Sequence, residues 1–419
     1  MMYFDDVYDN FVGSSKVEGL LSAHGIPIGD STSIKKPLRD ILEKVINEEA
    51  LLRSEALLLT TILPSEVSYL MAASNFLREK YKTNLISFSK NIFIPLTQLC
   101  RDQCSYCTFK IEPDEGDLLV EPEDVLESAR KAVQLGCTEL LFVSGDRPEI
   151  IYDVYRKKLN SMGYESTADY MIAMSETCLE EGIFPHSNLG IADFAELERF
   201  KNSNPSMGLM LENISERLMK PGEAHHKCPD KYPKARVQTI SDAGALNIPW
   251  TSGILIGIGE NWEERVDSIY ELRRINDQYG HIQEIIIQNF SPKPGIQMEG
   301  HPVPTDFDMI KTVAISKIIM GPQMNIQVPP NLNSKTYMLH VLAGVNDLGG
   351  VSPLTIDYVN PESPWPQIDM MKKNIVEFGF NLRERLPVYP NFLDRKFLND
   401  NIYNKAIGFV DDTGYIAEN

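Results

Sequence analysis

The chain has 419 residues, 43% of them apolar, enough to fill one large globular domain with an extension, or two domains. A formal charge of −19 argues against a nucleic-acid partner, because no basic block offsets repulsion from phosphates. No run of about 18 apolar residues and no basic-then-apolar leader occurs, and six cysteines in so long a chain do not read as a disulfide framework, so a cytoplasmic protein with no membrane segment is expected.

Residues 1–35 are polar and turn-rich, with Gly13-Ser14-Ser15 and Gly29-Asp30-Ser31, and are expected to form a flexible N-terminal segment. Over 36–83 the pattern turns helical, with Leu38, Ile41, Leu42 and Val45 at three- and four-residue steps. This helical extension is expected to cap the bottom of the main domain.

From Asn84 onward, short apolar runs alternate with longer amphipathic ones, as in strand–helix units around a parallel sheet. Strands are predicted over 85–96, 140–144, 183–185, 207–211, 250–256, 284–290 and 325–328, with a weaker eighth unit at 351–356 and a helix after Pro366. The clearest helices run from Pro122 to Leu135, ended by Gly136, and from the N-cap Asn261, with Glu264 three residues on, to Gly280. Seven or eight such units over 84–390 suit a (β/α)8 TIM-type barrel, or its partly open relative, better than a two-sided open sheet. Residues 391–419 are left as a C-terminal tail.

Just after the first predicted strand stand Cys100, Cys104 and Cys107, in a C-x3-C-x2-C loop. A structural zinc site wants four protein ligands, and this loop offers no fourth thiol or histidine. Three thiolates leave one coordination position free, which suits an iron–sulfur cluster with one open iron. A noncatalytic zinc-binding scaffold is the rival from another class.

Other chemistry-bearing residues fall at the C-terminal ends of predicted strands, where barrel loops converge on one mouth. Ser144-Gly145-Asp146 follows the second strand: a glycine lets backbone approach a ligand, and Asp146 can accept from an ammonium, although a capped turn would look the same. Glu212 ends the fourth strand, either as a solvated charge or as a ligand group. The fifth, with Gly253, Ile254 and Gly257, reads by spacing alone as a glycine-broken core strand. Asn289, Gln327, Asn331, Asn346 and Asp347 are substrate-contact candidates and equally turn formers, and Asn346-Asp347-Leu348-Gly349-Gly350 reads as a turn. His225, His226 and Cys228 lie in a proline-rich loop that is an unpromising second metal site, and Cys137 and Cys178 read as buried thiols.

With Tyr106 directly before its last thiol, the cysteine loop resembles the signature of the radical S-adenosylmethionine superfamily. The resemblance implies one 4Fe-4S cluster held by Cys100, Cys104 and Cys107, and S-adenosyl-L-methionine bound near Tyr106, Ser144, Gly145, Asp146, Glu212, Gly253, Ile254 and Gly257. Within it, the segments Phe184-Pro185-His186-Ser187-Asn188, His225 to Arg236, Ile287-Gln288-Asn289-Phe290, Val328 to Leu332 and Gly344 to Pro353 resemble the 7,8-didemethyl-8-hydroxy-5-deazariboflavin synthases, and most of all their ring-closing subunit. Leu348 and Cys228 depart from that pattern, standing where Trp and Ser are expected.

The family resemblance covers roughly residues 84–390. It implies a radical lyase of coenzyme factor 420 biosynthesis that closes the deazaflavin ring with release of ammonia. His225 would act as an acid or base, with His186 and Asn188 near substrate. Its substrate would come from a tyrosine-cleaving partner synthase and its electron from a low-potential ferredoxin or flavodoxin. That partner synthase and a related menaquinone-pathway radical enzyme are the enzymatic rivals.

Overall fold

The computed structural model describes residues 2–418. Five helices come first: α1 Phe4–Val12, α2 Ser15–Ala23, α3 Lys36–Ile46, α4 Arg53–Thr60 and α5 Val67–Lys82. Then follow β1 Leu85–Thr97, α6 Pro122–Gln134, β2 Glu139–Ser144, α7 Asp153–Ser161, α8 Thr167–Glu180, β3 Phe184–Asn188, α9 Phe194–Phe200, β4 Ser206–Gly208, α10 Pro233–Ala245 and β5 Trp250–Ile256. The chain continues through α11 Trp262–Tyr279, β6 Ile282–Asn289, α12 Asp306–Met320, β7 Asn325–Gln327, α13 Tyr337–Leu342, β8 Asp347–Val351, α14 Ile368–Glu377, β9 Asn381–Arg385 and α15 Asp400–Ala406.

Strands β1 to β8 pair in parallel in sequence order, and β8 returns to β1, so the sheet closes into the expected eight-stranded barrel. The ninth strand was not foreseen, because Asn381-Leu382-Arg383-Glu384-Arg385 carries no apolar run. At 13 residues β1 is long enough to pair β9 along Leu85–Ser89 and β2 along Asn91–Thr97, with β8 on its other edge.

The eighth strand lies earlier than expected, and the presumed turn at 346–350 is mostly strand. The two glycines belong inside the barrel: a Cβ on Gly349 would meet the Gln327 amide at 2.0 Å, and one on Gly350 the Asn91 amide at 2.1 Å. Missing side chains there make room for polar ones from neighbouring strands.

Both chain ends pack more tightly than their composition suggests. On α1, Phe4, Val7, Tyr8 and Phe11 are buried at i, i+3, i+4 and i+7, and the Tyr8 ring sits 4.6 Å from that of Tyr69 on α5. The segment expected to be flexible is therefore built on a helical stripe that its glycines and serines obscured. Helices α4 and α5 pack chiefly on α11 and α12, on the outer helical layer rather than under the barrel.

The chain after β9 closes the bottom instead. Leu386, Val388, Phe397, Leu398 and Ile402 join Leu179 and Phe184 in a second apolar cluster, and the Pro387 carbonyl accepts from Ser206 Oγ and Gln283 Nε2 at strand starts. Among the described residues, no single helix is long and apolar enough to cross a membrane.

Candidate active site

The cysteine loop leaves β1 at the barrel mouth and has no regular structure of its own, so neighbouring backbone holds it. Gln103 N and Ser105 N donate to the carbonyls of Lys227 and Ala224, Met298 N donates to Ser105 O, and Cys107 N closes a turn on Cys104 O at 3.1 Å. On the other side Arg101 N donates to Asp146 O, and Asp146 N donates to Cys100 Sγ at 3.1 Å. Gly145 is required here: a Cβ would lie 1.9 Å from Leu99 O.

Cys100, Cys104 and Cys107 border one cavity of about 260 Å³, together with Tyr106, Ser144, Gly145, Asp146 and Glu212. All six cysteines are free. Burial pushes the Cys100 thiol up to about 12 and raises Cys107 too, so without a cation these sulfurs stay protonated. Three soft donors on one wall, each needing a bound cation to ionise, fit a metal cluster. Cys228 corrects the expectation that no fourth thiol is near, since its Sγ lies 3.5 Å from Cys104 Sγ. It is buried and does not border the cavity, standing behind Cys104 rather than beside it.

Next to the thiols is a buried charge cluster that the sequence reading found only in part. Asp102, Asp146 and Asp230 bring carboxylate oxygens within 4.8 Å of one another. Arg101 forks onto Asp230, Arg236 Nη1 donates to the Asp230 carbonyl at 2.9 Å, and Lys231 pairs with Glu212 at 2.6 Å. Burial pushes the Asp146 carboxyl up, with Asp230 and Asp102 adding to the effect, and its Oδ1 has no partner. An unpartnered buried carboxylate oxygen suits an ammonium ligand, the group that the amino-acid end of S-adenosylmethionine would present. Against the cost of burial, Lys231 and Arg236 hold Glu212 below its ordinary range, so it stays a carboxylate. Asp102, Lys231 and Arg236 were missed as site residues because their partners, Asp230 for Asp102 and Glu212 for the two cations, lie on other loops at no fixed spacing.

Other expectations are displaced. His225 borders neither this cavity nor the barrel interior; its Nε2 is 3.0 Å from Tyr106 Oη, and burial, with Lys231 nearby, lowers it to about 3. It stands behind Tyr106, which borders the cavity. Gly253 and Ile254 do not border the cavity: a Cβ on Gly253 would sit 2.1 Å from Ile286 O, while the next residue, Leu255, reaches it. Gly257, at φ +90°, shapes the loop whose Gly257 and Ile258 N–H groups donate to Glu260. Asn346 and Asp347 lie at the start of β8, away from the mouth: Asn346 links β7 to β8 through Asn325, and Asp347 is taken up by Arg385, Ser87 and Gly349 N.

Inside the barrel lies a second chamber of about 190 Å³, bordered by the predicted His186, Asn188, Gln327 and Asn331. Asn289 borders the outer cavity. Asn188, Met210, Gln288, Val359 and Asn360 border both spaces, so the chamber in the barrel adjoins the cysteine cavity across a shared wall.

Residues 94–271 match the model of the Radical SAM superfamily. Among solved structures, HydG, a maturase of the [FeFe]-hydrogenase, superposes with a TM-score of 0.71 at 14% identity, covering 96% of this chain and 86% of that one. Methylornithine synthase (PylB) does so with a TM-score of 0.64 at 18% identity, covering 82% and 97%. At such identities they speak for the fold. A closed parallel barrel with this cysteine loop after its first strand, in a segment matching that superfamily, is a radical S-adenosylmethionine enzyme, a class that works with an iron–sulfur cluster and S-adenosylmethionine.

The 7,8-didemethyl-8-hydroxy-5-deazariboflavin synthase of Methanopyrus kandleri is 47% identical over 333 residues, covering 79% of this chain and 99% of that protein. That of Methanothermobacter thermautotrophicus is 52% identical over 320 residues, covering 76% and 96%. The chain belongs to the 7,8-didemethyl-8-hydroxy-5-deazariboflavin synthase family. It also matches, at 47% identity, 37% of the longer FO synthase of Streptomyces avermitilis.

Proposed function

We propose that this chain is the ring-closing synthase. It would convert 5-amino-5-(4-hydroxybenzyl)-6-(D-ribitylimino)-5,6-dihydrouracil to 7,8-didemethyl-8-hydroxy-5-deazariboflavin, releasing ammonia, on the way to coenzyme factor 420. The observation that carries this reading is a cavity bordered by three cysteines that adjoins a polar chamber, in a chain about half identical to synthases of that name over nearly their whole length. When bound, a 4Fe-4S cluster on Cys100, Cys104 and Cys107 and S-adenosylmethionine supply the radical that takes a hydrogen atom from substrate.

The protein's part is to hold, orient and exclude. The Asp146 carboxylate takes the ammonium of S-adenosylmethionine, while Gly145 gives it close access to backbone. Leu209, Leu255 and Phe290 add apolar surface to the outer cavity, which limits water near the reacting carbon. Lys293 Nζ donates to Asn360 Oδ1 at 2.8 Å and to Val359 O at 2.6 Å, joining two loops across the neck. A low-potential ferredoxin or flavodoxin supplies the electron, a tyrosine-cleaving partner synthase supplies the adduct, and free thiols suit a reducing cytoplasm.

Anaerobically reconstituted, reduced protein is to be given S-adenosylmethionine with the preformed adduct, or with tyrosine and the ribitylated diaminouracil. Deazaflavin fluorescence and 5′-deoxyadenosine from the adduct alone are expected. Product from tyrosine and the diaminouracil would move the chain to the partner activity, and zinc in place of iron and sulfide would overturn the enzymatic reading.

A further inference from the structure

The inner chamber is polar at its far end in a particular way: apart from Arg385, whose guanidinium is taken up by Asp347 and the Leu386 carbonyl, its buried groups offer acceptors. Asn91, on the long strand β1 and 1% exposed, borders the chamber and has no partner for Oδ1. Its neighbour in register on β2 is Glu139, a buried carboxylate that borders the same space.

His186 on β3 adds a third acceptor, and the tautomer follows from its contacts. Ser206 Oγ has one hydrogen and donates it to Pro387 O at 2.8 Å, so in its 2.7 Å contact with His186 Nδ1 it accepts. Nδ1 therefore carries the imidazole proton and Nε2 presents a lone pair. Burial lowers this histidine to about 3, which keeps it neutral. The Glu284 carboxylate, on the far side of the floor, already accepts from Thr251 Oγ1 and Tyr389 Oη, each at 2.7 Å.

An aromatic ring pushed down to this floor would leave Asn91 Oδ1 and His186 Nε2 buried and unpaired, at roughly 1–3 kcal/mol each. A chain of hydroxyls donates one hydrogen per oxygen and satisfies them. The apolar wall formed by Met210 and Val359 lies at the neck, next to the cysteine cavity.

We propose that Asn91, Glu139 and His186 form a polyol subsite at the barrel floor, which takes the hydroxylated ribityl tail and directs the hydroxybenzyl end of the same substrate toward the cysteines. This rests on the substrate reading given above. The residues are positioning groups, since they border the inner chamber and not the cysteine cavity.

The test uses the reconstituted holoprotein, with 5-amino-6-(D-ribitylamino)uracil and 5,6-diaminouracil as probes in titration calorimetry. Wild-type protein is expected to bind the ribityl compound at least roughly tenfold more tightly. Asn91→Leu and His186→Phe are each expected to cut that preference to within about threefold, leaving affinity for diaminouracil nearly unchanged. With the adduct, the same variants should raise KM by roughly tenfold while kcat moves by less than about threefold, a split that general loss of structure would not produce. Equal binding of the two probes by wild-type protein, a comparison that needs no variant, overturns the subsite. If deazaflavin still forms from the adduct in that case, the substrate reading stands; if no deazaflavin forms and neither probe binds, both fall.

Discussion

Cys104 and Cys228 have sulfurs 3.5 Å apart yet stand on different sides of the cavity wall, so their chemistry separates by substitution. After anaerobic reconstitution, Cys104→Ser is expected to lose most of its iron, about four per chain in the parent, together with 5′-deoxyadenosine formation. Cys228→Ser, which leaves the three thiols in place, should retain both. Iron and sulfide assay decides, and equal loss in the two variants would make Cys228 a ligand. The thiol triad was legible because its three cysteines fall within eight residues of one another. Asp102, Lys231 and Arg236 were not, since only the fold brings them against Asp230 and Glu212. His225, a titratable residue in the family-like segment, is placed by the fold behind Tyr106 rather than on the cavity wall.

At the level of elements, the strand–helix alternation was read correctly over most of the barrel, because each unit carries its own hydrophobic period. Failures cluster where another element supplies the reason for a structure. Strand β8 contains Gly349 and Gly350 because Gln327 and Asn91 fill their space, and β9 is polar because one edge of β1 accepts its backbone. Helix α1 was overlooked although Phe4, Val7, Tyr8 and Phe11 mark its buried face. Tyr8 is 1% exposed, packs on Tyr69, and its hydroxyl lies 3.1 Å from Ser68 Oγ. Tyr8→Ala should therefore cost about 3 kcal/mol and loosen α1 from α5. Hydrogen exchange would register this as lost protection confined to the N-terminal helices, and unchanged protection there would refute the packing role.

For the whole molecule, packing β9 and the chain after it against the closed barrel covers ionisable groups at its edge, and the energetic consequence is a dependence on pH. The Glu384 carboxyl on β9 is pushed up to about 7 by burial, despite Lys90 and Thr138. Between its ordinary value of 4.5 and about 7 the folded protein keeps a proton that the unfolded chain has released, so this group's contribution to stability falls as pH rises through that window. Glu384→Gln should flatten that part of the profile, seen as a smaller difference in urea midpoint between about pH 5 and about pH 8. An unaltered difference would mean that this carboxyl titrates normally.

By itself the sequence determined the strand–helix order, the acidic surface, and the compact thiol loop whose spacing names its chemistry, because all of these depend on residues close together along the chain. Tertiary structure alone decided that the chain after β9 closes the barrel floor, that Asn91, Glu139 and His186 meet there, and that Asn346 and Asp347 do not face the mouth. The physical reason is that a barrel strand is buried on both faces, so its pattern of apolar residues does not say which side chains point inward. Only ring closure, with the register it imposes between strands, aims them at a common space.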